Sequence, residues 1–209
     1  MRGIGPVKIE ELKEAGFRVE QRQAAAVEGG EPGADWLRAD VRCMKDQVWR
    51  FTSNNCLYTL LPKRQVEQRV PEVDHRWEIQ VLKYAYALDG ARDTRGARQA
   101  LKSIVNSELN LNVTTHQVNQ AKKGPFMRMV NLYKSRDGYR GAPSFEDMNC
   151  VPRKLVDDGH WARIESAMVV SYEQMERQTS DLRDDAQRRL AERVMKHVHG
   201  MIGQMGIES

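Results

Sequence analysis

The sequence is poor in the features that usually fix a protein's class. Its 209 residues hold only three cysteines, Cys43, Cys56 and Cys150, widely spaced and without a CxxC pair. That pattern argues against a disulfide framework or a zinc ribbon. No apolar run approaches 18 residues, so no membrane-spanning helix is expected. Residues Met1–Lys8 contain no signal-peptide apolar core, and an intracellular location, cytoplasmic or nuclear, is expected. No P-loop, GxGxxG or HExxH is present. Strong charge of one sign is also missing: 33 basic residues face 29 acidic ones, leaving +4. An excess that small decides little about partners, so the distribution of charge has to carry the electrostatic argument.

What is present is periodicity at helical spacing. Val7, Ile9, Leu12 and Ala15 mark a short N-terminal helix stopped at Gly16, followed by a Gly/Pro-rich linker, and together these fill residues 1–34. Residues 35–71 change character. Val48–Thr52 and Cys56–Leu60 are short, β-branched and aromatic around Ser53-Asn54-Asn55, which predicts a β-hairpin near residues 47–61. Over 72–135 the spacing predicts a tri-helical unit. Asp74 caps a helix carrying Trp77, Val81, Tyr84, Ala85 and Leu88 and ending at Gly90. Thr94 caps a second helix with Ala97, Leu101, Ile104, Val105 and Leu109. Thr114 with Gln117 reads as a capping box opening a short third helix stopped at Gly124. Pro125 then starts a further helix with Phe126, Met129, Val130 and Tyr133 on its buried face. Breakers make 136–160 a long loop. Residues 161–209 hold two helices, roughly 162–178 and 181–199, and a frayed tail after Gly200. The expected fold is mainly α, a helical bundle containing a helix-turn-helix-like unit and a small β-hairpin.

The helix-turn-helix reading supplies the candidate site. A third helix held inward by Val113, Val118 and Ala121 presents His116, Asn119, Gln120, Lys122 and Lys123 outward. Asn and Gln read adenine bidentately, and Lys meets phosphate or guanine. Between Thr115 and Arg140, Lys122, Lys123, Arg128, Lys134, Arg136 and Arg140 face one acid, Asp137, a local charge of +5. In layout, Trp77 on a first helix and a short helix after a capped turn are similar to tri-helical Myb-like domains. The tryptophan such domains carry on the second helix is missing here, so no family is assigned.

Other constellations carry less. His197 and His199 point to different helix faces, and Asp157, Asp158 and His160 lack partner spacing for a metal. Cys150 and His160 have no recognisable nucleophile setting. Met168, Met175, Met195, Met201 and Met205 recur in the C-terminal part and could form a homo-oligomer or protein-partner seam. The functional expectation is a non-enzymatic nucleic-acid-binding protein, regulatory or structural, preferring DNA to RNA, with no cofactor, metal or membrane partner. The rival is a structural or assembly subunit of a virion or large complex that binds protein partners through its helices. An enzyme ranks third, and a pocket holding two titratable side chains would revive it.

Overall fold

The computed structural model describes residues 34–89, 93–136 and 138–207. The expected N-terminal helix at 7–15, most of the linker after it, and Gly90 lie outside these residues. Eight α-helices and two strands follow in chain order among the described residues. They are α1 (Lys45–Phe51), α2 (Lys63–Glu67), β1 (Pro71–His75), α3 (Ile79–Asp89), α4 (Arg95–Val105), β2 (Leu111–Thr115), α5 (His116–Ser135), α6 (Arg153–Asp157), α7 (His160–Ser180) and α8 (Asp185–Met205). The chain is mainly helical with one small antiparallel sheet, as expected.

The sheet, however, is not at 47–61. β1 pairs with β2 in the register Pro71↔Thr115, Val73↔Val113, His75↔Leu111. The stretch expected to open the hairpin is α1 instead. A strand would send Val48 and Trp49 to opposite faces, yet both are fully buried together with Thr52. The i, i+1, i+4 set is a helical face. Asn54 does adopt positive φ, 58°, but in the turn after α1, where its N–H donates to the Trp49 carbonyl at 2.7 Å.

The tri-helical unit is likewise rearranged. Asp74 is a strand residue rather than a cap, and the first helix of that stretch begins only at Ile79. The second helix stands as read: Thr94 Oγ1 accepts from the Ala97 N–H, and Ala97, Leu101, Ile104 and Val105 are buried. The polar turn at 111–115 is β2, every residue of which is buried. The cap falls one residue late, with Thr115 Oγ1 accepting from Val118 N–H. No helix ends at Gly124. α5 runs on for 20 residues with Pro125 inside it, and Val118, Lys122, Pro125, Phe126, Met129, Val130 and Tyr133 form its buried face. Pro125 removes one backbone bond, which the packing of this long face offsets. A strand–strand–helix unit, with two helices inserted between the strands, thus replaces the helix-turn-helix.

The core bundle is built by α3, α4, α7 and α8, which pack on one another. The break between the last two helices is where the sequence put it, and Asp184 caps α8 through Gln187 N–H. Gly200 does not stop α8, because it is where Tyr139 lies against the helix: a Cβ there would sit 2.5 Å from the Tyr139 hydroxyl. The stop is Gly206, at φ 75°. The tail is not frayed as far as Ile207, since Met201, Ile202, Met205 and Ile207 are buried. Met168, Met175 and Met195 are buried too, so the methionines pack on the chain itself.

Asn110 joins the sheet to this bundle. It is fully buried, its Oδ1 accepts from Trp77 N–H at 2.8 Å and Ser171 Oγ–H at 3.1 Å, and its Nδ2 donates to the Val105 carbonyl. Asn110→Ala strands two donors and one acceptor in the interior, and a loss of about 2–4 kcal/mol is expected from urea unfolding. A loss below about 0.5 kcal/mol would show that the network is not a structural joint.

Candidate functional site: a mixed-charge cleft beside the strand pair

α5 starts directly from β2, so its first turns lie against the edge of β1. Two of the expected site residues meet there. His116 Nδ1 is 2.7 Å from Glu72 Oε1, and Asn119 Nδ2 donates to Glu72 Oε2 at 2.6 Å. These bonds, with Lys123 nearby, hold the Glu72 carboxyl below its usual range against the opposing effect of burial, the largest single influence.

Lys122 corrects the outward list. It is fully buried. Its ammonium donates to Asp74 Oδ2 at 2.7 Å, Glu78 Oε1 at 2.9 Å and the His75 carbonyl at 2.5 Å, and it stands over the Tyr58 and Phe126 rings. All three of its donors are used, so it does not reach a phosphate. The physical reason is the length of α5: a continuous helix turns position 122 to the same face as Val118 and Phe126. Asn119 is also buried, at 3% exposure. Gln120, Arg128, Lys134, Arg136 and Arg140 are exposed but are not among the residues lining the cleft.

The cleft itself measures about 480 Å³ and lies between β1, the start of α5 and the segment 38–45. Its wall carries Glu72, Asp74, His75, Glu78 and Asn119, and four cations line it as well: Arg38, Arg42, Lys45 and Lys123. Two of these cations hold exposed or half-exposed partners, Arg42 with Asp40 at 2.6 Å and Lys45 with Glu67 at 3.2 Å. Such pairs are weak and readily exchanged for another anion. Asn119 Oδ1 is buried with no hydrogen-bond partner, which is uncommon for a native side chain and leaves an acceptor unused on this wall.

Two titratable groups on the wall are displaced. Burial, the largest influence, and the neighbouring Glu78 push Asp74 up to about 6 despite Lys122 and the Tyr58 hydroxyl. Lys122 is itself raised, because two carboxylates share its single charge and outweigh the cost of burying it. The two directions are consistent: the cation has two anions, whereas each anion has half a cation. Burial lowers His75 below the usual histidine value and keeps it neutral. Its Nε2 lies 2.9 Å from Asn106 Oδ1. A carboxyl exchanging protons near neutrality beside a neutral imidazole is the combination that acid–base chemistry uses. Glu72, Asp74, His75 and Asn119 are also the wall's donors toward a cation, although no group of three or more His, Cys, Asp or Glu among the described residues is placed to hold a metal ion.

The sequence reading missed Glu72, Asp74, His75, Asn106 and the 38–45 cations. A signal did exist, the β-branched run Val113-Thr114-Thr115, but its partner strand lies 40 residues earlier. Compared with known proteins, the chain matches no family model, no curated sequence and no solved structure.

The triad makes a sharp demand on Lys122. Lys122→Met leaves two buried carboxylates facing each other, and a stability loss of about 3–5 kcal/mol at pH 7 is expected. Asp74 binds its proton more tightly folded than unfolded, so its own contribution is lost as pH rises from about 4 to about 6. In the variant the deficit should therefore shrink towards pH 5, where both carboxyls can be neutral. Urea unfolding at the two pH values checks this, and a loss below about 0.5 kcal/mol would mark Lys122 as a solvated surface cation.

Proposed function

We propose that the protein binds nucleic acid, DNA before RNA, at the cleft beside β1 rather than along a recognition helix. The observation that carries this reading is the convergence of Arg38, Arg42, Lys45 and Lys123 on one cleft. Phosphate contacts of this kind supply most of the sequence-independent affinity of nucleic-acid-binding proteins. Lys123, Arg128 and Lys134 extend the basic track over about 17 Å of α5, at 1.5 Å per residue, and the exposed Arg136 and Arg140 lie beyond it. The rival reading, an assembly subunit, draws on the methionine cluster, and those side chains are buried.

Fluorescence anisotropy with mixed-sequence duplex and single-stranded probes tests the reading. Four phosphate contacts give a slope of log K against log salt of about −3 to −4. Arg38→Glu with Lys123→Glu should weaken binding at least about tenfold and flatten that slope. Unchanged affinity would reject the cleft as the binding site.

A second reading goes further, and the displaced Asp74 and neutral His75 on the same wall favour it: the protein hydrolyses the phosphodiester it binds. His75 would take a proton from an attacking water, the water oxygen would bond to phosphorus, and the ester P–O bond would break with the leaving oxygen protonated by solvent. His75→Ala should then abolish cleavage of labelled DNA or RNA while leaving affinity within about threefold, because general-base loss costs on the order of 10²–10⁴ in rate. Equal cleavage by the variant would remove His75 from the chemistry.

A further inference from the structure

The hydrogen bonds around Asn106 determine which nitrogen of His75 carries the proton. Asn106 is the residue after α4, 7% exposed. Its Nδ2 lies 2.8 Å from the Leu37 carbonyl and 2.8 Å from the Lys102 carbonyl. Both of those oxygens can only accept, so the amide nitrogen must face them, and a flipped amide would set oxygen against two oxygens. The opposite end, Oδ1, receives the Ala39 N–H at 3.3 Å. It also lies 2.9 Å from His75 Nε2. An amide oxygen cannot donate, so Nε2 is the protonated nitrogen.

We propose that Asn106 is a positioning residue that holds His75 in its Nε2–H tautomer and leaves the Nδ1 lone pair facing the cleft as the base. The inference rests on the hydrolytic reading above and adds the residue that orients its base. Three separate parts of the chain fix the amide: the 3-10 turn ending at Leu37 with Ala39 after it, α4 through Lys102, and β1 through His75 itself. The His75 backbone is held independently, because Lys122 donates to its carbonyl. The imidazole therefore has one fixed nitrogen and one available nitrogen. An amide oxygen orients the ring without adding the negative charge that would favour the imidazolium. Histidine bases generally depend on such a partner at their second nitrogen.

The direct test is a long-range ¹H–¹⁵N correlation spectrum of the full-length protein, labelled at histidine, at pH 7. The expected pattern for His75 is an unprotonated, pyridine-type Nδ1 and a protonated, pyrrole-type Nε2. A protonated Nδ1, or a mixture of tautomers, overturns the proposal. Two variants add a functional readout. Asn106→Ala removes the acceptor and should slow DNA cleavage on the order of 10²-fold, with affinity changed by no more than about twofold. Asn106→Asp restores an acceptor and should recover most of that loss. Cleavage by Asn106→Ala at the wild-type rate overturns the positioning role. Should the wild-type protein cleave neither DNA nor RNA, the hydrolytic reading falls and takes the role of base with it, while the spectrum still decides the tautomer.

Discussion

A single ammonium group shared by two buried carboxylates organises this protein. Lys122 reaches from the second turn of α5 to Asp74 on β1 and Glu78 just before α3, and it also takes the His75 carbonyl. Three segments far apart in sequence are thereby held at hydrogen-bond distances. Burying an unshared charge costs several kcal/mol, so neither the strand nor the helix can move independently without exposing the others to that cost. A buried ionic group of this kind contributes specificity of arrangement more than net stability, since an apolar substitute for the whole triad could be equally stable. It also explains why α5 passes through Gly124-Pro125 unbroken. Lys122 before the pair is anchored to the sheet, and Phe126 after it is packed on Phe145 and Trp161.

How much was legible in the sequence followed from the range of the interactions. α4 and the buried face of α5 are local patterns, with apolar residues three and four apart and a hydroxyl cap, and both were readable to the residue. So was the break between α7 and α8, where Asp184 follows Asp181 at the start of a new periodic stretch. The strand pair was not readable, because β1 and β2 are five residues each and their register joins Pro71 to Thr115. β2 shows no alternation, since all five of its residues are buried, Asn112 and Thr114 included. Those two polar side chains bond to Leu57 and Cys56, partners that no local pattern reveals. The same short-range view turned Lys122 outward: with a helix ending at Gly124 a lysine at its end is solvent-bound, whereas on a 20-residue helix the same position is the core.

The cleft inherits its properties from this frame. The carboxyl pushed up to about 6 is displaced chiefly because the triad is dry. The imidazole is neutral because it is buried, and its carbonyl and Nε2 are both engaged. Around this stiff wall stand cations whose own partners are exposed and weak. Rigid, desolvated groups at the base and exchangeable charges at the rim are what a site needs in order to hold an extended polyanion by its phosphates and present one of them to fixed side chains. Residues His116, Asn119 and Lys123, read as a recognition face, contribute from the side of this wall, while Gln120 and Arg128 face solvent on other parts of α5.

The central claim is that nucleic acid enters at β1 and the 38–45 segment. Backbone amide shifts of the ¹⁵N-labelled protein, followed while a short DNA oligonucleotide is titrated in, test this most directly. The account expects the largest shifts at Arg38–Lys45, Glu72–His75 and Asn119–Lys123, with the α7–α8 bundle unmoved. Shifts confined to residues 128–140, or none at saturating oligonucleotide, would contradict it.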